Sequence, residues 1–264
     1  MEFIKTIIKN KKLVWQLGKN DFKNKFASTS LGSVWGFLQP FVFMAMYVIV
    51  FQYIFKSPGP AEDVPYVVWF LPGMAMWQTI NDMIISSSNS IRTYSYLVKK
   101  VVFPIDVIPV ISIVSCSFVA LFLIIVATIV CAIFGFIPNI LQMLYIIISM
   151  YVFIIAFTRF TSAVTTLVPD FSQLLNILMQ LFFWFTPVVW NLSYLAGHNT
   201  ILKIMKCMPF TYLITGFRDS FMSGNIITED NFLYTIAFWI ITIVMIIWSN
   251  YIFKKSKKDF ADVL

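Results

Sequence analysis

Charged residues are scarce in this chain of 264 residues: they make up 12% of it, whereas 59% of the residues are hydrophobic. Soluble domains carry about 25% charged residues, and a chain of this size cannot bury so much apolar surface in one core. Glycine (9) and proline (11) are too few for a collagen-like or low-complexity chain. The three cysteines are an odd number, which argues against a disulfide scaffold. The composition therefore predicts an all-α integral membrane protein.

Residues that carry out chemistry are also rare. His198 is the only histidine, and the carboxylates are scattered along the chain. The sequence lacks the zinc motif HExxH, paired-cysteine ligands and the nucleophile motif GxSxG. It also lacks the phosphate-binding motif GxxxxGK[ST] of P-loop ATPases. We therefore expect no catalytic, metal or cofactor site in this chain, and ATP-driven work would require a separate subunit that binds ATP and Mg²⁺.

Long apolar runs are present instead, and six of them are long enough to cross about 30 Å of hydrocarbon. The predicted spans are residues 34–55, 66–88, 107–134, 138–158, 171–190 and 232–253. Fourteen of the 19 lysines and arginines lie in residues 1–25, 92–100 and 254–258, outside these spans. By the positive-inside rule, both termini are expected in the cytoplasm. The net charge of +7 then reflects topology, and no nucleic-acid partner is expected.

Two segments do not fit a simple span. Residues 201–221 are apolar but are interrupted by Pro209 and Gly216, which predicts re-entrant or interfacial helices between the fifth and sixth spans. The second span contains a polar run, residues 77–90, which predicts a helix that faces protein or water. Asp82 in this run belongs either to a hydrogen-bonded polar face or to a proton relay.

Residues 1–30 are predicted to precede the membrane domain, residues 31–264, as an amphipathic helix. On a helical wheel, one side carries Ile4, Ile7, Ile8, Val14, Trp15, Phe22 and Phe26. The other side carries Lys5, Lys9, Lys12, Lys19 and Lys23. This pattern is typical of a helix that lies in the headgroup plane, with the lysines toward anionic lipid and Trp15 at the interface. A solvated basic tail is the alternative.

The loop from Ile91 to Pro104 mixes aromatic and aliphatic residues with three cations. It is compatible with a short helix that presents Tyr96, Leu97 and Phe103 to a groove on a partner protein. An ordinary basic loop is equally compatible with the composition.

Five segments of the chain form a recognisable series. They are residues 30–40 (SLGSVWGFLQP), 71–77 (LPGMAMW), 92–104 (RTYSYLVKKVVFP), 183–187 (FWFTP) and 260–264 (FADVL). In this order they resemble motifs of the permeases of ABC exporters that move O-antigen, wall teichoic acid and related lipid-linked polysaccharides. The series covers essentially the whole chain.

The resemblance implies a homodimer of six-span permeases in the cytoplasmic membrane of a bacterium, with two re-entrant helices after the fifth span. It also implies two copies of a nucleotide-binding ATPase subunit and a lipid-linked polysaccharide substrate of O-antigen, teichoic acid or capsule type. The residues implied in coupling to the ATPase are Arg92, Tyr96, Leu97, Lys99, Lys100 and Phe103.

Aromatic residues of the first and fifth spans are candidates for the substrate path, because sugar rings pack on aromatic faces. They are Trp35, Phe43, Tyr47, Phe182, Phe183 and Trp184. An ABC exporter of drugs or small lipids is the alternative within transport. An ion-coupled secondary transporter would be expected to show inverted repeats and ion ligands, and a membrane-embedded glycosyl- or acyltransferase a carboxylate or histidine cluster.

Overall fold

Helices make up most of the molecule in its computed structural model, which describes residues 2–57, 59–60, 63–99, 103–222 and 229–264. The α-helices within these ranges are α1 (Glu2–Lys9), α2 (Lys11–Asn24), α3 (Trp35–Val48), α4 (Tyr66–Thr93), α5 (Ser95–Val98), α6 (Ile108–Ile133), α7 (Ile140–Leu167), α8 (Phe171–Phe185), α9 (Asn199–Cys207), α10 (Pro209–Asp219), α11 (Glu229–Ser256) and α12 (Phe260–Val263). A π-helix, Ile49–Ile54, continues α3. Short 3₁₀ turns precede α3 and α6 and follow α8. The predicted all-α class is confirmed.

Four helical segments of the described chain are long and apolar enough to cross a membrane. They cover Gly32–Ile54, Ile105–Ile133, Ile140–Leu167 and Phe232–Ser256. These segments coincide with the first, third, fourth and sixth predicted spans. Their length and composition are those of a multi-pass membrane protein.

The second and fifth predicted spans differ from the other four. With 28 residues, α4 is long enough to cross a bilayer, but its second half is polar, and most of its side chains are buried against other helices. This burial agrees with the prediction of a helix that faces protein. In contrast, α8 is apolar but has only 15 residues and ends at Phe185, five residues before the predicted end. Thr186 is extended because Pro187 follows it, and the residue before a proline disfavours helical backbone.

Two ends of the helix bundle can be distinguished by their contacts. At one, which we call the terminal end, α1, α2, α5 and α12 surround the last turns of α4, α7 and α11 and the beginning of α6. A cluster of buried residues that includes Ile91, Leu97 and Phe253 holds these elements together. The other end, the α10 end, carries α9 and α10, and there Asn139 donates a backbone hydrogen bond to Ser220 at 2.7 Å.

The N-terminal segment forms two helices, α1 and α2, where the sequence predicts one within residues 1–30. The break between α1 and α2 lies at Asn10, whose side chain donates a hydrogen bond to the Thr6 carbonyl at 2.8 Å. Such bonds compete with continuation of a helix. Beyond the break, α2 packs closely on α6 at Gly18, where an added Cβ would lie 2.6 Å from Cγ1 of Val114.

Short helices occupy the region predicted to be re-entrant or interfacial. The chain turns at Met208, which is extended, and Pro209 then opens α10 at a position where its missing N–H costs nothing. With 9 and 11 residues, α9 and α10 are each too short to span a bilayer. Most side chains of α10 are buried against α4 and α7.

Candidate functional site

One face of α4 is polar over more than two turns. Gln78, Asn81, Asp82 and Ser86 recur at intervals of three and four residues and therefore share one side of the helix. This side lines a cavity of about 510 Å³, which we call the α4 groove. Its other walls include Gln39 and Phe43 of α3, Ser115 and Cys116 of α6, and Asn176 of α8.

Lys25, just after α2, closes the α4 groove toward the terminal end. Its ammonium group donates a hydrogen bond to Oγ of Ser86 at 2.9 Å and forms an ion pair with Asp21 at 3.2 Å. Phe22 and Phe26 lie beside it in the groove wall. A cation and two aromatic rings from the N-terminal segment thus border the polar face of α4. The sequence pattern marked Lys25 only as part of a basic block.

Asp82 lies in the groove wall beside Asn81, whose amide donates a hydrogen bond to its carboxylate at 3.5 Å. Within the described residues, Asp82 takes part in no ion pair. The nearby Gln78 keeps one buried amide oxygen without a hydrogen-bond partner there. This arrangement favours a polar helix face over a proton relay.

The α4 groove interrupts an apolar surface. Its flanking helices expose large hydrophobic side chains, such as Phe41 and Val42 on α3 and Ile177 and Leu181 on α8. Amide and carboxylate groups facing lipid would lose their hydrogen bonds to water at a cost of several kcal/mol each. The groove is therefore suited to water, a polar ligand or a second protein surface.

One of the six aromatic residues predicted for a substrate path lines the α4 groove, and two others contact each other. Phe43 lines it, with 51% of its surface exposed. Tyr47 and Phe183 contact each other, with ring centroids 6.1 Å apart, and so join α3 to α8. These contacts place aromatic rings from the first and fifth predicted spans side by side.

None of the other three aromatic residues lines the groove, although the ring of Trp184 lies 5.3 Å from that of its neighbour Phe183. Phe182 is half-buried and packs on Phe210 of α10, with ring centroids 5.2 Å apart. It turns inward because neighbouring residues of a helix point about 100° apart, and Phe183 takes the side toward α3. Trp35 and Trp184 are exposed and lie outside the lining of the groove.

The segment predicted to dock on a partner contains the four-residue helix α5. Tyr96 is 57% exposed, and Arg92 and Lys99 are also exposed. Leu97 is only 9% exposed and packs in the terminal-end cluster, where the half-buried Phe103 also makes contact. Presentation of Leu97 to a partner is thus a sequence-based expectation that the structure does not bear out. Lys100 lies outside the described residues.

A buried hydrogen bond ties α2 to the residue between α4 and α5. The hydroxyl of Tyr94 donates a short hydrogen bond to the carboxylate of Asp21. Burial raises the pKa of the Tyr94 phenol above its usual value, and Asp21 raises it further, so the hydroxyl stays protonated. Asp21 is the one carboxylate between Glu2 and Glu62, a signal for this contact that the sequence analysis missed.

The N-terminal lysines predicted to face lipid headgroups are all exposed: Lys5, Lys9, Lys12, Lys19 and Lys23. Trp15 is half-exposed, and its ring lies 5.5 Å from that of Phe118 and 5.2 Å from the ammonium of Lys19. On the apolar side, Val14 is buried, whereas Ile8 is exposed. The two N-terminal helices thus use part of their apolar side for contact with the bundle and leave part of it uncovered.

Arg218 joins three elements at the α10 end, and it is only 3% exposed. Its Nε donates to the carbonyl of Trp69 at 2.8 Å, and its two terminal nitrogens donate to Pro187 at 2.7 Å and to Val188 at 2.6 Å. The guanidinium also lies 3.7 Å from the ring centroid of Trp69. This set of contacts holds α10 against the start of α4 and the residues that follow α8.

No group of three or more histidine, cysteine, aspartate and glutamate residues in the described chain is arranged to hold a metal ion. The polar residues of the α4 groove are mainly amides and hydroxyls. Such groups bind by donating and accepting hydrogen bonds, as recognition of hydroxyl-rich ligands requires.

Comparison with known proteins places these features in a wider context. The profile of the ABC-2 type transporter family matches residues 12–222. An O-antigen export system permease protein RfbA of Klebsiella pneumoniae is 24% identical over 247 residues, which is 92% of either chain. A protein of the same name from Myxococcus xanthus is 22% identical over 268 residues, or 99% of either chain. The family match includes α5, α10 and the walls of the α4 groove.

Proposed function

Because the chain belongs to the ABC-2 type transporter family, we propose that it is the membrane subunit of an ABC exporter for lipid-linked cell-surface polysaccharide. The names of its relatives support this proposal, since full-length similarity links the chain to O-antigen export permeases of two bacteria. The work of the chain is then transport, and the ATP-dependent chemistry belongs to a partner. An O-antigen, a teichoic acid and a capsular chain are equally compatible with these relatives.

The α4 groove is the feature that supports a transport path. Sugar hydroxyls need hydrogen-bond partners when they leave water, and the groove offers them the amides of Gln39, Gln78 and Asn81. The exposed ring of Phe43 provides an apolar face on which a sugar ring can pack. Many weak contacts of this kind suit a polymer that must slide past the protein.

A second copy of the chain would shield the α4 groove from lipid. We propose that two protomers face each other through α3 and α8, so that their grooves together enclose the path. In this arrangement α4 and α8 would add two crossings to the four long apolar segments, with α8 and the turn after it reaching the α10 end. The α9–α10 pair would enter the membrane partway from that side.

Two copies of a nucleotide-binding subunit would dock at the terminal end and supply ATP and Mg²⁺. The exposed residues Arg92, Tyr96 and Lys99 are the proposed contacts. Leu97 would not contact the partner but would anchor α5, because its burial in the terminal-end cluster fixes α5 to α4 and α6. Movement of α5 would then shift α2 through the hydrogen bond between Tyr94 and Asp21. It would also affect the α4 groove, because Lys25 directly follows α2 and lines the groove.

The terminal end faces the cytoplasm in this proposal, and the protein lies in the bacterial cytoplasmic membrane. The exposed lysines of α1 and α2 would lie at the anionic headgroups, with Trp15 at the interface. This places the basic residues on the side that the positive-inside rule requires.

Deletion of the gene and complementation with variants test this proposal. We expect the deletion strain to lose surface polysaccharide and to accumulate lipid-linked polysaccharide inside the cell, measured by lectin labelling of intact cells and of extracted lipids. The wild-type chain should restore export, and Gln78→Leu should not, because it removes a hydrogen-bonding group from the groove. Gln173→Leu is the matched control, since Gln173 is exposed on α8 outside the groove lining.

Unchanged surface polysaccharide in the deletion strain would refute polysaccharide export, and simultaneous loss of drug resistance would point to a drug exporter. Equal export by the Gln78→Leu and Gln173→Leu chains, at equal protein levels, would refute the α4 groove as the path.

A further inference from the structure

A basic pocket lies at the terminal end, away from the α4 groove. It has a volume of about 1120 Å³, and its wall carries five cations and one carboxylate: Lys5, Arg159, Lys254, Lys257, Lys258 and Asp106. The residues come from α1, the turn before α6, the last third of α7, the last turns of α11 and the turn that follows α11. The pocket therefore lies at the beginning of one apolar segment, Ile105–Ile133, and at the end of another, Phe232–Ser256.

Arg159 is the buried centre of this pocket, with 7% of its surface exposed. The guanidinium is sandwiched between the rings of Phe3 and Phe253, 3.9 and 4.4 Å from their centroids. One terminal nitrogen donates to Asp106 at 2.9 Å. The Nε and the other terminal nitrogen find no hydrogen-bond partner among the described residues. A buried donor without an acceptor costs free energy, and this cost is removed when an acceptor enters the pocket.

Among the side chains that the structure describes, the cations of the pocket outnumber its one carboxylate. Asp106 already pairs with two of them, Arg159 at 2.9 Å and Lys257 at 2.5 Å. Lys5, Lys254 and Lys258 add three further positive charges to the wall. An anion with several acceptor oxygens would balance this excess and meet the two free donors of Arg159.

We propose that this pocket binds a phosphate group. Phosphate oxygens match the planar fork of a guanidinium and accept hydrogen bonds from several lysines at once. Basic pockets between membrane helices at the membrane surface hold the headgroups of anionic lipids, and the position of this pocket suits that source. Free inorganic phosphate is the other source of the same chemistry. Either ligand would join α1, α7 and α11, whichever substrate the protein transports.

Titration calorimetry of the purified full-length protein in a neutral detergent tests the proposal. The probes are dihexanoyl phosphatidylglycerol, which is water-soluble, and inorganic phosphate. We expect at least one probe to bind the wild type. The double variant Lys254→Gln/Lys258→Gln should bind it about tenfold more weakly, because each lysine contributes a charge-assisted hydrogen bond. Both lysines are on the outer wall and are exposed, so this variant should fold.

The matched control is Lys9→Gln/Lys255→Gln, which removes two exposed lysines that do not line the pocket. It should bind like the wild type. Binding of the lipid alone identifies a headgroup site, and binding of inorganic phosphate identifies a site for the free anion. Failure of both probes to bind the wild type, or equal weakening by the two double variants, overturns the proposal. These two outcomes concern only the basic pocket and would leave polysaccharide export as the proposed function unchanged.

Discussion

Arg218 is almost fully buried, yet each of its three side-chain nitrogens donates a hydrogen bond to a backbone carbonyl. These carbonyls belong to segments far apart in the sequence, one in α4 and two after α8. Gly73 makes room for the guanidinium, since a Cβ at this position would collide with it. A buried charge is retained only when it is paired in this way. The contacts of Arg218 thus fix the packing position of α10 on the helix bundle.

We expect Arg218→Met to lower the free energy of unfolding by about 3 kcal/mol, because hydrogen bonds from a charged donor to three carbonyls are lost. The lower stability should appear as a lower melting temperature of the purified protein in detergent, followed by intrinsic tryptophan fluorescence. Arg92→Met, at an exposed position, is the matched control and should melt like the wild type. Equal melting of the two variants would show that the Arg218 contacts contribute little.

At the scale of single residues, the sequence predicted positions better than orientations. The polar run of α4 was visible in the sequence, and the structure confirms that this part of the helix faces protein and a cavity. The orientation of Leu97 was not visible, since a helix of four residues has too few positions for a periodic pattern. The partners of Arg218 are carbonyl groups, which carry no side-chain signature and therefore leave no trace in the sequence.

At the scale of elements, helix ends were the least predictable features. Local chemistry determines them: Asn10 divides the N-terminal helix, and Pro187 ends α8 early. The hydrophobic run continues through Pro187 to Trp190, so hydropathy alone predicted a longer fifth span. By contrast, the first, third and sixth spans were predicted to within three residues, because long apolar runs give a strong signal. The fourth was predicted to end at residue 158, but its helix continues to Leu167, nine residues further.

The short helix α5 carries the prediction that concerns the ATPase partner. We expect Tyr96→Asp to reduce copurification of the nucleotide-binding subunit by about tenfold or more, because exposed aromatic residues often dominate the energy of an interface. The measurement is the ATPase activity retained with the affinity-purified membrane subunit. Tyr194→Asp is the matched control: Tyr194 is 68% exposed but lies after α8, toward the α10 end.

If Tyr96→Asp and Tyr194→Asp retain the same ATPase activity as the wild type, the exposed side of α5 is not the docking surface. Leu97 is unsuitable for this test, since a charge at a buried position would disturb the terminal-end cluster itself.

At the scale of the whole molecule, charge separates the two ends of the bundle. The basic N-terminal helices, the loop with Arg92 and the last turns of α11 all gather at the terminal end. Linear sequence was sufficient to predict this grouping, because consecutive spans alternate in direction. The sequence carries no comparable signal for a surface between two copies of the chain. Exposed apolar residues can face lipid or a partner protein equally well. The four long apolar spans were therefore predictable, whereas the proposed dimer surface rests on the geometry of the groove.

Cysteine labelling in intact protoplasts or spheroplasts tests the orientation that this charge distribution predicts. In a chain with Cys207→Ser, the remaining Cys116 and Cys131 are buried and should not react. A membrane-impermeant maleimide should label Tyr194→Cys from outside, because this exposed residue would lie on the far side of the membrane from the termini. Lys9→Cys and Lys255→Cys, both exposed at the terminal end, should be labelled only after the membrane is permeabilised. Labelling of the terminal-end cysteines before permeabilisation would reverse the topology, and docking of a cytoplasmic ATPase on α5 would then be impossible.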